Sequence, residues 1–136
     1  MPDIEGKRHI VNIETQQSFV IECSDPYNTK ETLQKIGSYN FYSAVFDKAN
    51  SFLIKTLELK PSWLVIDEIG KLELMKKGFY KSLKKIIESN EYEKPNKNLL
   101  LVIRDSLYKE AVSFLGIKNH MLVMHMQEIP FSISHN

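Results

Sequence analysis

Alternating apolar and polar residues mark the amino-terminal part of the chain. The alternation over residues 7–14 and 18–23 is typical of half-buried β-strands. Because only the polar residues 15–17 separate these two segments, we expect an antiparallel hairpin. Residues 38–42 alternate in the same way and predict a further strand, whereas the turn-forming residues of 24–37 predict a surface loop with a helical turn.

Continuous apolar runs replace this alternation farther along the chain. Residues 63–66 follow Pro61, and residues 99–103 follow a polar loop. Short runs of this kind are typical of strands in parallel sheets, which are buried on both faces. Residues 121–126 are also mostly apolar and predict the last strand.

Helical spacing of apolar residues appears between these strands. It predicts helices over residues 43–59, 75–90 and 105–115, with Ser43 capping the first and Gly116 suited to the left-handed position after the third. Strands and helices therefore alternate from residue 38 onward. With right-handed crossovers, this order predicts the later part of a doubly wound α/β nucleotide-binding fold.

Composition narrows the class of protein. With 136 residues, of which 43% are hydrophobic, residues 1–136 fit one globular domain. The net charge of +1 is too small to attract nucleic acid or a membrane surface strongly. No apolar run approaches the roughly 20 residues of a membrane span. The amino terminus lacks the basic and apolar regions of a signal peptide, so we expect a cytoplasmic protein. Cys23 is the only cysteine, which excludes an internal disulfide.

Two adjacent carboxylates follow the first apolar run. Asp67 and Glu68 stand at its carboxyl end, where ligands bind in open α/β sheets. Neighbouring strand residues point to opposite faces, so the two side chains are expected to have different roles. One carboxylate can hold a magnesium ion, and the next can orient or deprotonate an attacking water. The alternative is structural, because acidic residues after a strand often cap the following segment.

The residues around these carboxylates carry a resemblance. Residues 67–74 read Asp-Glu-Ile-Gly-Lys-Leu-Glu-Leu, and Phe79 follows in a predicted helix. This string resembles the signature of the cancer-related nucleoside-triphosphatase family, with Leu72 where that family usually has methionine. Residues 6–15 resemble the hairpin of the family, and residues 37–39 resemble its Gly-Lys-Tyr, with serine in place of lysine.

The resemblance implies a fold and an activity. The fold is a three-layer, mostly parallel sheet of the P-loop NTPase type with an antiparallel amino-terminal hairpin. The activity is magnesium-dependent hydrolysis of a nucleoside triphosphate to a diphosphate and phosphate. In this family Asp67 matches the metal-site aspartate and Glu68 matches the glutamate that activates water.

Basic residues supply further candidates for nucleotide binding. Lys7 and Arg8 open the first predicted strand and could contact phosphates, although basic residues at such a position are more often solvated. Arg104 follows the strand over residues 99–103 at the edge expected for Asp67. It could stabilise charge on a transferred phosphoryl group, or it could pair with Asp67 or Glu68.

Five lysines on the predicted helix over residues 75–90 raise the question of nucleic-acid binding. Acidic residues follow them at once and no aromatic stacking platform accompanies them, which favours a solvated face. Nucleic acid is therefore not the expected partner. These lysines are Lys76, Lys77, Lys81, Lys84 and Lys85.

The phosphate-binding loop of the resembled family is missing from these residues. Of the two Gly-Lys pairs, Gly6-Lys7 and Gly70-Lys71, neither has the upstream glycine or the following serine or threonine of a P-loop. The resemblance therefore covers about residues 6–126 and lacks the first strand, the P-loop and the first helix. Without that cradle, hydrolysis by the isolated chain is not expected.

An absent strand also has a structural consequence. The remaining sheet is expected to have an open edge. The chain could close with a new strand order, pair with a second copy of itself, or accept the missing unit from a P-loop-bearing partner. Two functions follow as alternatives: a nucleoside-triphosphatase domain that retains the Asp67-Glu68 pair, or a non-catalytic binding or regulatory module.

Overall fold

The computed structural model describes residues 1–124, which form a mixed α/β structure. The strands are β1 Asp3–Ile4, β2 Lys7–Asn12, β3 Gln17–Val20, β4 Leu33–Ile36, β5 Tyr39–Tyr42, β6 Trp63–Ile69 and β7 Asn98–Ile103. The helices are α1 Ser43–Glu58, α2 Lys71–Leu74, α3 Tyr80–Glu88 and α4 Tyr108–Leu115, with short 3-10 turns at Glu91–Glu93 and Asp105–Leu107.

The amino-terminal part is antiparallel, and its predicted hairpin is confirmed. Strands β2 and β3 pair from His9 opposite Val20 to Asn12 opposite Gln17, and β1 extends this sheet. The loop predicted over residues 24–37 is wrong in its last part, because residues 33–36 form β4 and pair with β5. The turn formers earlier in that segment obscured a short strand that pairing with β5 stabilises.

The only parallel strand pair within residues 1–124 is β6 with β7. Their register runs from Trp63 opposite Asn98 to Asp67 opposite Val102. The other strand pairs in this part of the chain are antiparallel, so the described sheets are not mostly parallel as expected. Residues 121–124 form no strand, and the last two residues of the segment predicted over 121–126 lie outside the described residues.

The main core lies on one face of the parallel pair. Leu64 and Ile66 are buried together with apolar side chains from four helices. On the opposite face Val65 is 40% exposed and Val102 is 39% exposed, so the prediction that both strands are buried on both faces is wrong. Residues 1–124 therefore cover one face of this pair and do not supply a third layer. The helix residues in the core cluster are Phe46, Leu53, Leu72, Leu83, Ile86 and Leu115.

The helices begin and end at positions that local backbone geometry explains. Ser43 is the first residue of α1 rather than its cap, because Tyr42 occupies the cap position and makes no side-chain capping hydrogen bond. The helix predicted over residues 75–90 begins only at Tyr80, since Lys76 and Gly78 have φ of +60° and keep residues 75–79 out of the helix. Gly116 ends α4 with φ of +68°, as predicted. No helix among the described residues is long and apolar enough to cross a membrane.

Candidate functional site

Asp67 and Glu68 lie at the carboxyl end of β6. Asp67 is exposed on the face of the sheet that carries Val65 and Val102, whereas Glu68 is half-buried. The pairing register with β7 shifts between Asp67 and Ile69, so Glu68 is an extra residue in the strand. Simple alternation therefore ends at Asp67, and Ile69 returns to the core.

Arg104 lies at the same end of the parallel pair. Asp67 is opposite Val102 in β7, and Arg104 directly follows that strand. Its side chain is exposed, and its carbonyl oxygen accepts a hydrogen bond from the Leu107 amide at 2.9 Å. Within residues 1–124 Arg104 makes no ion pair with Asp67 or Glu68 within 4.0 Å. Both carboxylates therefore lack a basic partner at that distance in this part of the chain.

Lys7 and Arg8 lie in a different sheet from Asp67. They open β2, which pairs with β1 and β3 rather than with the parallel strands. The Arg8 guanidinium carbon lies 4.0 Å from the centre of the Tyr39 ring, which is the geometry of a cation–π contact. The structure thus gives Arg8 an aromatic neighbour within the antiparallel part.

A buried glutamate that the hydrophobic pattern does not reveal lies just beyond the acidic pair. Glu73 is 3% exposed. Its Oε2 atom accepts a hydrogen bond from the Gly70 amide at 2.8 Å, and its Oε1 atom accepts one from the Phe79 amide at 2.9 Å. Burial raises the pKa of this carboxyl above its ordinary value, these amides oppose the shift, and the charge of Glu68 adds to it. We call this carboxylate and its two amide donors the Glu73 clasp.

Gly78 joins the Glu73 clasp to a wider polar network. A Cβ atom at position 78 would overlap Glu73 Oε1 and lie 3.0 Å from Cδ, and φ there is +60°, so the position suits glycine. The Gly78 amide donates to Gln34 Oε1 at 2.9 Å, and its carbonyl accepts from Asn50 Nδ2 at 2.8 Å. The Ser82 hydroxyl then donates to Asn50 Oδ1 at 2.6 Å. Strand β4 and helices α1 and α3 are thereby connected to the loop.

One sequence signal could have identified the clasp. Glu73 stands three residues after Gly70, the spacing at which a glutamate in the first helical turn reaches back to the amide that precedes the helix. The remaining partners could not have been inferred from spacing, because Gln34 is 44 residues from Gly78. They depend on the packing of β4 against the loop.

A cavity among the described residues lies elsewhere. It has a volume of about 480 Å³ and runs along α4, where Tyr108, Val112 and Ile117 contribute to its lining. Neither Asp67 nor Glu68 lines it. Residues 1–124 also contain no cluster of three or more histidine, cysteine or acidic side chains that could hold a metal ion. Asp67 is exposed and Glu68 is half-buried, and neither belongs to such a cluster within residues 1–124.

Comparison with known proteins gives one match. Residues 6–128 match a protein-family model described as NTPase. No curated protein and no solved structure matches the chain. The matched range includes the amino-terminal hairpin, the parallel pair, the acidic residues at the end of β6 and the Glu73 clasp.

Proposed function

The chain belongs to the NTPase family, and we propose that it carries the metal-binding and water-activating part of a nucleoside-triphosphatase site of the cancer-related type. The signature over residues 67–74 supports this assignment. The single observation that carries it is the position of Asp67 and Glu68 at the carboxyl end of a parallel strand. That edge is where α/β sheets bind ligands.

The proposed reaction is hydrolysis of a nucleoside triphosphate to a diphosphate and phosphate. Asp67 is the magnesium ligand, which its exposure and the lack of an ion pair within residues 1–124 support. Magnesium is commonly held by one or two carboxylates together with water and substrate phosphates, so a closed cluster of ligands is not required. When bound, the ion neutralises charge on the β- and γ-phosphates.

Glu68 is proposed to orient the attacking water and accept its proton. The water oxygen forms a bond to the γ-phosphorus, and the bond between that phosphorus and the bridging oxygen breaks, with its electrons leaving on the diphosphate. Arg104 is proposed to stabilise the negative charge that develops on the phosphoryl group. Lys7 and Arg8 remain weaker candidates for phosphate contact, because they belong to the antiparallel sheet.

The phosphate cradle is proposed to come from a P-loop-bearing polypeptide outside these 136 residues. No Gly-x-x-x-x-Gly-Lys-Ser/Thr motif is present in them. The exposed apolar face with Val65 and Val102 supports this proposal, since parallel sheets are normally covered on both faces. A second copy could cover this face but would lack the same motif. We therefore expect no hydrolysis by the isolated chain.

A non-catalytic binding or regulatory module is the second candidate, favoured by that missing motif. Binding of a fluorescent nucleoside triphosphate to the purified chain, with and without magnesium, distinguishes the two. Under the first proposal, magnesium strengthens binding, and Asp67→Asn weakens the magnesium-dependent binding about tenfold. Asp47→Asn removes an exposed carboxylate from α1 and should leave binding unchanged. Equal binding by all three proteins would favour the module.

A further inference from the structure

We infer that Glu73 is a positioning residue for Asp67 and Glu68. The inference rests on the proposed function, because it concerns the same acidic pair. Gly70 follows Glu68 after a single residue, and that residue, Ile69, is fully buried. The Glu73 clasp therefore acts on the chain immediately beyond the two carboxylates.

The Glu73 clasp connects β6 directly to α3, across the short helix α2 and the loop that follows it. Its donor Gly70 lies at the end of β6, and its donor Phe79 lies at the start of α3 and is buried in the core. Pairing with β7 holds the backbone before Glu68, and the clasp holds the backbone after it. The backbone on both sides of Glu68 is thus fixed relative to the core.

A carboxylate is the side chain that this geometry requires. Each of its oxygens accepts one amide hydrogen, at 2.8 Å from Gly70 and at 2.9 Å from Phe79. A glutamine has one acceptor oxygen, and its NH₂ group would face the other amide, leaving a buried donor without a partner. Aspartate keeps two acceptors but is one methylene shorter and cannot span both amides from the same backbone position.

Position matters for the proposed chemistry because metal ligands and water-activating groups depend on the groups that orient them. Loss of an orienting partner around a metal ligand typically weakens metal binding by about tenfold or more. Small displacements of catalytic groups also reduce the rate of reaction strongly. Glu73 is proposed to act through Glu68 and Asp67 without touching the substrate.

The test compares Glu73→Gln with Leu115→Ala in the full chain. Leu115 belongs to the core on α4 and is not part of the Glu73 clasp, so its truncation controls for loss of stability. The two variants are compared at equal distance below their melting temperatures. The first readout is conformational exchange of the backbone amides of residues 67–70, measured by NMR relaxation dispersion. The second is binding of Mn²⁺, measured by broadening of the same signals.

The expected result is specific to Glu73→Gln. Residues 67–70 should show exchange in that variant alone, and its Mn²⁺ affinity should fall about tenfold while that of Leu115→Ala stays near the wild-type value. If Glu73→Gln does not fold, Glu73→Asp replaces it with the same expectations. Equal behaviour of the Glu73 variant and Leu115→Ala in both readouts would overturn the positioning role.

Mn²⁺ binding by the wild-type protein separates a failure of the proposed function from a failure of the positioning role. If wild-type protein binds no Mn²⁺ at residues 67–70, the metal role of Asp67 is wrong, and relaxation dispersion alone decides the role of Glu73. Exchange confined to Glu73→Gln would then still support positioning of this segment. Absence of that exchange would refute it.

Discussion

Two buried glutamates in this protein are stabilised in opposite ways. Glu73 is 3% exposed and is held by two neutral backbone amides. Glu91 is 6% exposed and is paired with Lys94 at 2.7 Å and with Lys97 at 3.6 Å. The hydrogen bond and charge of Lys94, with that of Lys97, lower the pKa of Glu91, whereas burial raises the pKa of Glu73. The two carboxyls therefore differ in their surroundings, because lysine charges lower the pKa of Glu91 whereas Glu73 has no such charge beside it within residues 1–124.

The positions of the two residues explain this difference. Glu91 lies in a 3-10 turn, and its lysines follow within six residues, with the Lys94 side chain 57% exposed. Those lysines can therefore neutralise Glu91 while remaining hydrated. Glu73 lies in the short helix α2 between β6 and α3, where no lysine or arginine of residues 1–124 comes within 4.0 Å of it. Its negative charge is balanced only by hydrogen bonds.

Crowding of the Glu73 clasp should have the largest effect on the stability of the protein. Gly78→Ala should lower the free energy of unfolding by about 3 kcal/mol, because the new methyl group overlaps Glu73 and φ is positive. Gly37→Ala is the matched control, since φ there is +56° and no atom lies within 4 Å of the added Cβ, and it should cost about 1 kcal/mol. Urea denaturation measures both. Equal losses would contradict a steric role for the Glu73 carboxylate.

The pH dependence of stability should reveal the raised pKa of Glu73. A group whose pKa is higher in the folded state contributes most below its unfolded pKa, about 4.3 for glutamate, and that contribution is lost as pH rises through the folded value. The stability advantage of wild-type protein over Glu73→Gln should therefore shrink as pH rises. Denaturant unfolding at a series of pH values measures it, and parallel profiles for the two proteins would contradict the assignment.

Glu91 should show the opposite dependence on pH. Its lowered pKa means that its contribution is present above the unfolded glutamate value and is lost as pH falls through the folded value. The advantage of wild-type protein over Glu91→Gln should thus shrink in acid, in the same unfolding experiment. Replacing Lys94 and Lys97 together by methionine should weaken this dependence on pH, because only Lys60 would then remain to lower the pKa of Glu91. A dependence of unchanged size would show that Lys94 and Lys97 are not the cause.

The smallest expected effect is that of salt on the stability contributions of Glu91 and Glu73. High ionic strength screens exposed charges, so it should reduce the stability difference between wild-type protein and Glu91→Gln. The corresponding difference for Glu73→Gln should change less, because neutral amides hold that carboxylate. Unfolding of the three proteins at low and high salt gives the comparison. A larger salt effect for Glu73→Gln would argue for an ionic partner at the clasp.

Much of the fold could be predicted where a local pattern and the final structure agree. Alternation predicted the hairpin of β2 and β3, and helical spacing predicted α1 within one residue of its observed end. Strand β4 was missed because its four residues follow a turn-rich segment and depend on pairing with β5. The late start of α3 was missed because the helical spacing of apolar residues continues across Gly78, whereas the backbone turns there.

The sequence alone determined the family resemblance, the position of Asp67 and Glu68 after an apolar strand, and the absence of a P-loop motif, since these depend on residue types and local spacing. Tertiary structure alone decided which face of the parallel pair is covered and which side chains meet around Gly78. Sheet faces and buried hydrogen bonds join residues distant in sequence, as Gln34 and Gly78 are. No periodic pattern encodes such contacts, because packing of β4, α1 and α3 around one loop creates them.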